Sequence, residues 1–219
     1  MKLQKLNRTL FGALLISSTV GISSQAFAAG YCSGGTATGG ISTGNVTLNS
    51  INSDDCYGMV SGNINTAADI NGLNLTWGNN WTFLADSSNG ASGTLMGLAF
   101  TVTATPGTSG SWTLTGTDTN GTSPLNFPTS LDFAVGLKAS NEYALWGFDN
   151  AIVSGGANSG TFSIVFTNNG GQIPNLSHLI VFGREAAGGT IAAIPEPETY
   201  AMLLAGLGLV GFAARRKLS

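Results

Sequence analysis

The chain has 219 residues, of which only 9% are charged, with 32 glycines and a formal net charge of −3. Average soluble domains carry about 25% charged residues, so Thr, Ser and Asn must supply the polar surface, which suits an exported β-protein better than a cytosolic enzyme. Six of the eight cations lie at the two ends, leaving Lys138 and Arg184 against nine acids between residues 30 and 194; this net −7 offers no phosphate-neutralising patch and excludes nucleic acid as a partner.

Residues 1–28 read as a secretory signal peptide. Lys2, Lys5 and Arg8 precede an apolar run that ends in Ala26-Phe27-Ala28, which predicts cleavage between Ala28 and Ala29. The mature chain opens with Tyr31-Cys32 and reaches its only other cysteine at Cys56. In an oxidising compartment two such cysteines most simply pair with each other. One histidine in the whole chain cannot complete a zinc site with them.

From there to residue 190 the pattern has period two. Met96, Leu98, Phe100 and Val102 alternate with small or polar residues, as do Leu131, Phe133, Val135 and Leu137, and Phe162, Ile164 and Phe166; each set puts its apolar members on one face of a half-buried strand. Weaker strands are predicted at residues 46–51, 73–77, 81–84, 112–115, 143–148 and 176–182. Asn-Gly steps at Asn71-Gly72, Asn89-Gly90, Asn120-Gly121 and Asn169-Gly170 tolerate the positive φ of tight hairpins. The prediction is an all-β domain over residues 29–186, a single antiparallel β-sandwich of jelly-roll type with about nine or ten strands. Residues 187–193, small and Gly-containing, read as a linker.

Residues 194–219 have three parts in order: Pro195-Glu196-Pro197, an uncharged apolar segment over 200–214, and the basic stop Arg215, Arg216 and Lys217. As a helix the apolar segment rises about 22 Å, short of the roughly 30 Å hydrocarbon core. It forms a short transmembrane helix only if the bilayer thins or the three cations snorkel. Those cations favour the cytoplasmic side and leave the preceding chain outside. This order of parts resembles the PEP-CTERM sorting signal of Gram-negative bacteria. The resemblance implies an exosortase, a membrane-embedded cysteine transpeptidase, as partner and processing enzyme. It also implies an inner-membrane intermediate, delivery to the cell surface or the extracellular space, and a setting of exopolysaccharide, matrix and biofilm. The segments Leu131-Asp132-Phe133, Phe148-Asp149-Asn150 and Leu176-Ser177-His178-Leu179 resemble stretches found in PEP-CTERM proteins of unassigned biochemistry.

Motifs with chemical potential are few. Gly40-Ile41-Ser42-Thr43-Gly44 matches the nucleophile-elbow pattern, but no helical stretch follows it, and the single His178 sits on a predicted strand. Gly206-Leu207-Gly208-Leu209-Val210-Gly211 matches a dinucleotide fingerprint inside the apolar tail, where small residues serve helix packing instead. Asp54 and Asp55, with Asp149, are candidate Ca²⁺ ligands, weighed against ordinary Asx turns. Trp77-Gly78-Asn79-Asn80-Trp81 is a candidate sugar site: Trp77 and Trp81 would stack on rings while Asn79 and Asn80 bond hydroxyls, or the indoles simply fill the core. Asn45, Asn74, Asn80, Asn120 and Asn175 head Asn-x-Ser/Thr triplets, which in a bacterium follow from composition. The expectation is a non-enzymatic exported protein without cofactor, structural or adhesive, with a carbohydrate-binding module and a carboxylate hydrolase as alternatives.

Overall fold

The computed structural model describes residues 29–34, 37–121, 127–168 and 171–186. The signal peptide ending at Ala28, the linker, and the tail with its Pro195-Glu196-Pro197 motif and basic stop lie outside these residues, as does Asn169-Gly170. Among the described residues no helix is long and apolar enough to cross a membrane.

Twelve strands and one short α-helix, besides three 3-10 turns before β2, organise the described residues: β1 (Gly30–Tyr31), β2 (Thr47–Leu48), β3 (Ile51–Asn52), β4 (Asp55–Ser61), α1 (Ala67–Gly72), β5 (Thr82–Asp86), β6 (Gly93–Leu95), β7 (Leu98–Ala104), β8 (Ser109–Asp118), β9 (Thr129–Ala139), β10 (Glu142–Val153), β11 (Gly156–Ser163) and β12 (His178–Glu185). Every ladder between them is antiparallel. A six-stranded sheet runs β1-β4-β10-β9-β12-β5, a four-stranded sheet runs β11-β8-β7-β6, and β2 and β3 form a small hairpin.

The period-two pattern explains how the two sheets meet. Phe133, Val135 and Leu137 of β9 and Trp146 and Phe148 of β10 point toward Phe100 of β7 and Trp112 and Leu114 of β8, forming one buried cluster. Phe100 and Phe133 meet edge to face across the gap, 6.3 Å between centroids. Two buried indoles also pin the N-terminal segment to this core, because Trp112 Nε1 donates to Thr47 O at 3.0 Å and Trp146 Nε1 to Ser42 O at 2.9 Å. Leaving either carbonyl or indole N–H without a partner would carry the desolvation cost of a buried polar group.

A second apolar cluster covers the other face of the six-stranded sheet. Ala134, Tyr143, Leu145, Ile180 and Phe182 on the strands meet Ile64, Ile70, Leu75 and Trp81 from the β4–β5 connection. Burial pushes the Tyr143 phenol up to about 12, with Tyr57 and Asp69 adding to the effect. The connection starts helix α1 with a capping box in which Thr66 and Asp69 satisfy each other's backbone N–H groups.

Here the structure departs from the sequence prediction. Residues 73–77 are not a strand: Leu73, Leu75 and Trp77 alternate because they lean onto the sheet face, and Asn74 at φ +49° and Gly78 at φ +102° break the extended run. Residues 46–51 split into the β2–β3 hairpin, with Asn49 and Ser50 at positive φ. Met96 leaves its predicted strand and turns the β6–β7 hairpin with Gly97, at φ +53° and +75°. Asn71-Gly72 ends α1 instead of making a hairpin. Asn89-Gly90 does lie in the turn after β5, whereas Asn120-Gly121 follows β8 where the chain leaves the four-stranded sheet.

Candidate functional site

At the end of the second cluster the face of the six-stranded sheet turns polar. Arg184 of β12 stands directly opposite Asp132 of β9, and both Nε and Nη2 donate to Asp132 Oδ2, at 2.9 and 2.8 Å. Asp132 is 2% exposed and Arg184 22%, so the carboxylate depends on this one cation. The guanidinium lies over Trp81, its Cζ 4.5 Å from the ring centroid, and Nη1 also donates to Asn79 O at 3.3 Å. Gly78 makes this approach possible: at φ +102°, a Cβ there would stand 2.3 Å from Arg184 Nη1.

A β-bulge supplies the next carboxylate. The β9–β10 register shifts between Phe148 and Ala151, and such a bulge re-aims side chains out of the ladder. Asn150 N consequently donates to Asp132 Oδ1 at 3.0 Å, and the Asp149 carboxyl bonds that of Asp132. This shared bond raises the pKa of Asp149 above the usual carboxylate value, helped by burial and by the charges of Asp132 and Asp54, against an opposing bond from Asn150. Asp54 Oδ2 accepts from Asp149 N at 2.7 Å, closing the rim.

Asp55 forms the far wall. Burial opposes its ionisation, but donors from Trp77 Nε1, Cys56 N, and Ser33 N and Oγ outweigh that and hold the carboxyl below its ordinary value. Cys56, next along β4, is joined to Cys32 by a disulfide with Cα atoms 5.0 Å apart. The bridge continues the β1–β4 register beyond Tyr31 and Tyr57, which explains how Ser33 comes to face Asp55. Trp77 rests on Gly147, where an added Cβ would stand 3.1 Å from its ring atoms, and meets Tyr31 edge-on at 6.1 Å.

Together Asp54, Asp55, Asp132, Asp149 and Arg184 line a cleft of about 250 Å³ whose apolar walls are Trp77, Trp81 and Phe148. A second hollow, with Asn79, Asn80, Leu95 and Glu185, shares Arg184 with it. The Trp77 to Trp81 stretch is therefore a ridge between two depressions. Its two indoles have different environments: Trp77 is half-buried at the cleft wall, while Trp81 is 3% exposed with its Nε1 on Gly78 O. Of the two readings the sequence offered for these indoles, core packing holds for Trp81, which belongs to the second core, and only Trp77 stands half-buried at the cleft.

The calcium expectation at Asp54 and Asp55 meets a different geometry. Their oxygens already accept backbone and side-chain donors, and among the described residues no three His, Cys, Asp or Glu side chains are arranged to hold a metal ion. Ser42 of the nucleophile-like pattern bonds Asn45 through both its N–H and its hydroxyl, whereas His178 begins β12 opposite Lys138. Sequence reasoning missed Asp132 and Arg184, although Arg184 is one of only two cations between residues 30 and 194.

The described part thus belongs to the class of antiparallel two-sheet proteins closed by a disulfide, with one acidic, indole-walled cleft. Residues 193–217 match the PEP-CTERM protein-sorting motif. The chain therefore carries this sorting domain, which implies an exported protein that passes through a membrane and is recognised by an exosortase. Comparison with curated proteins and with solved structures gave no match.

Proposed function

We propose that the mature chain is a non-enzymatic β-sandwich protein of the cell surface or extracellular matrix, structural or adhesive in character, that engages exopolysaccharide through the Trp77 cleft. The observation that carries the proposal is the half-buried Trp77 indole, held rigid by Asp55 and Gly147 beside carboxylates that accept bonds from hydroxyls. An amphipathic ring of this kind stacks on the C–H face of a sugar. Jelly-roll character is supported by chain crossings between the sheets after β5, β8, β10 and β11.

The pair Asp132 and Asp149 does not have the spacing that the hydrolase alternative needs. Carboxyl pairs that work across a glycosidic bond stand about 5–5.5 Å or about 6.5–9.5 Å apart, whereas Asp132 and Asp149 are in direct hydrogen-bond contact. Asp132 is further occupied by Arg184 and by Asn150 N.

Trp77→Ala is expected to weaken retention on matrix polysaccharide about tenfold or more, the equivalent of one lost stacking contact, while Trp77→Phe retains most of it. Affinity electrophoresis in gels containing the polysaccharide reads both; equal mobility of wild type and Trp77→Ala would remove the cleft from the proposal. Trafficking is tested separately by mass spectrometry of the exported protein. The expected chain starts at Ala29 and lacks residues beyond the Pro195-Glu196-Pro197 region, and recovery of a chain ending in Ser219 would defeat the processing step.

A further inference from the structure

The charges of the Trp77 cleft are unequal. Four carboxylates, those of Asp54, Asp55, Asp132 and Asp149, share its lining with the single guanidinium of Arg184. That cation is already engaged, because Nε and Nη2 bond Asp132 and Nη1 bonds Asn79 O. Lys138 is 4% exposed toward the other end of β9, where its Nζ donates to Ser140 O. Among the described residues no cation is therefore free to receive an anionic ligand in the cleft.

The four carboxylates differ in how far their oxygens are engaged. Asp55 accepts four donors, and Asp132 is closed in by Arg184, Asn150 and Asp149. Asp54 and Asp149 are exposed at the rim. Among the described residues Asp54 accepts only the Asp149 N–H, on Oδ2 at 2.7 Å, which leaves Oδ1 open to a ligand. The Asp149 carboxyl registers the crowding: its bond to Asp132, then burial and the charges of Asp132 and Asp54, raise its pKa. Like charges held this close disfavour one another's ionised forms, and a cation placed between them relieves the repulsion.

Carboxylates alone do not name that cation; the wall beside them does. Trp77 Nε1 donates to Asp55 Oδ2 at 3.1 Å and the ring rests on Gly147, so the indole is fixed next to the acids. Its face attracts an organic cation and also stacks on the C–H face of a sugar. A sugar ring bearing a protonated amine offers both groups at once. A polyamine lacks the ring, a uronic acid brings a charge that the cleft repels, and a bare metal ion needs an acid array that the described residues do not form. Resting on the reading of the Trp77 cleft as a sugar site, we infer that it selects amino sugars with free amines, as in a de-N-acetylated hexosamine polysaccharide, the ammonium lying between Asp54 and Asp149 and the ring against Trp77.

The test is calorimetric titration of the exported protein at mildly acidic pH and low salt, where the sugar amines are protonated, with three tetrasaccharides: tetraglucosamine, its fully N-acetylated form and tetragalacturonate. Tetraglucosamine is expected to bind about tenfold more tightly than the N-acetylated form, as a rim ion pair and a cation on an indole together predict. Tetragalacturonate is expected not to bind, and added salt should narrow the preference for the amine. Asp54→Asn, which keeps an acceptor for the Asp149 N–H, is expected to cut that preference about threefold, and Trp77→Ala to weaken both hexosamines. Equal binding of the two hexosamines, both weakened by Trp77→Ala, would overturn the selectivity and leave the cleft a sugar site. An amine preference unchanged in Asp54→Asn would overturn the placement of the ammonium. Tetralysine bound as tightly as tetraglucosamine would overturn the inference in favour of plain charge attraction. Amine binding indifferent to Trp77→Ala, or no binding of any tetrasaccharide, would overturn it together with the reading of the cleft.

Discussion

Replacing Arg184 with methionine is expected to destabilise the protein by about 3 kcal/mol, the lower end of what stranding one partner of a buried ion pair costs. The lower end applies because Arg184 is itself 22% exposed while Asp132 is 2% exposed. The guanidinium gives Asp132 two donors, so the variant leaves a buried carboxylate with only the Asn150 N–H and the Asp149 carboxyl as partners. The loss also uncovers Trp81, over which the guanidinium lies. A double-mutant cycle in urea separates these effects: Asp132→Asn should recover part of the loss on the Arg184→Met background, since no charge is then stranded. Strict additivity of the two changes, or a loss below about 1 kcal/mol in Arg184→Met, would show that the pair contributes no more than a surface contact.

Cys32→Ser with Cys56→Ser is expected to cost about 3.5 kcal/mol, from the loop entropy that a bridge across 24 positions removes from the unfolded chain. Against a typical total of about 5–15 kcal/mol, that is a large share. The effect should reach Asp55 as well, because the bridge holds Ser33, which gives that carboxylate two of its four donors. A carboxyl whose folded pKa lies below its unfolded value contributes stability that is present above the unfolded pKa and is lost as pH falls through the folded one. Asp55 is such a group, so wild-type stability should decline as pH drops below about 4, and less steeply in the double-serine variant. Denaturation midpoints at pH 7 and across the acid range check both parts. A double-serine variant as stable as wild type at pH 7 would contradict the first, and parallel acid profiles the second.

Much of the body could be read from its residues because burial in an antiparallel sheet leaves a period-two trace. Leu131 to Leu137 and Phe162 fell on the expected faces, since each contacts a core directly behind its own strand. The same logic misassigned residues 73–77, where Leu73, Leu75 and Trp77 alternate while covering a sheet face. Alternation records which residues are buried, not whether their backbone joins a ladder. The cleft was half legible. Asp54, Asp55, Asp149 and Trp77 stood out one by one, yet nothing in their spacing pointed to Asp132 or Arg184, which lie 52 positions apart and meet only through the β9–β12 register.

What the sequence determined by itself was the address and the polarity of the body. A sorting tail is recognised as a linear order of a proline-bounded acid, an apolar run and basic residues, so its information is local and survives without any fold. Composition likewise settled that few cations are available to the domain. Tertiary structure decided which of those few charges matter. Strand pairing set Arg184 against Asp132, a bulge turned Asp149 toward the same carboxylate, and Gly78 admitted the guanidinium onto Trp81. It also divided two similar tryptophans between a cleft wall and a core. Those outcomes depend on contacts between residues distant in the chain, whose register no local pattern carries.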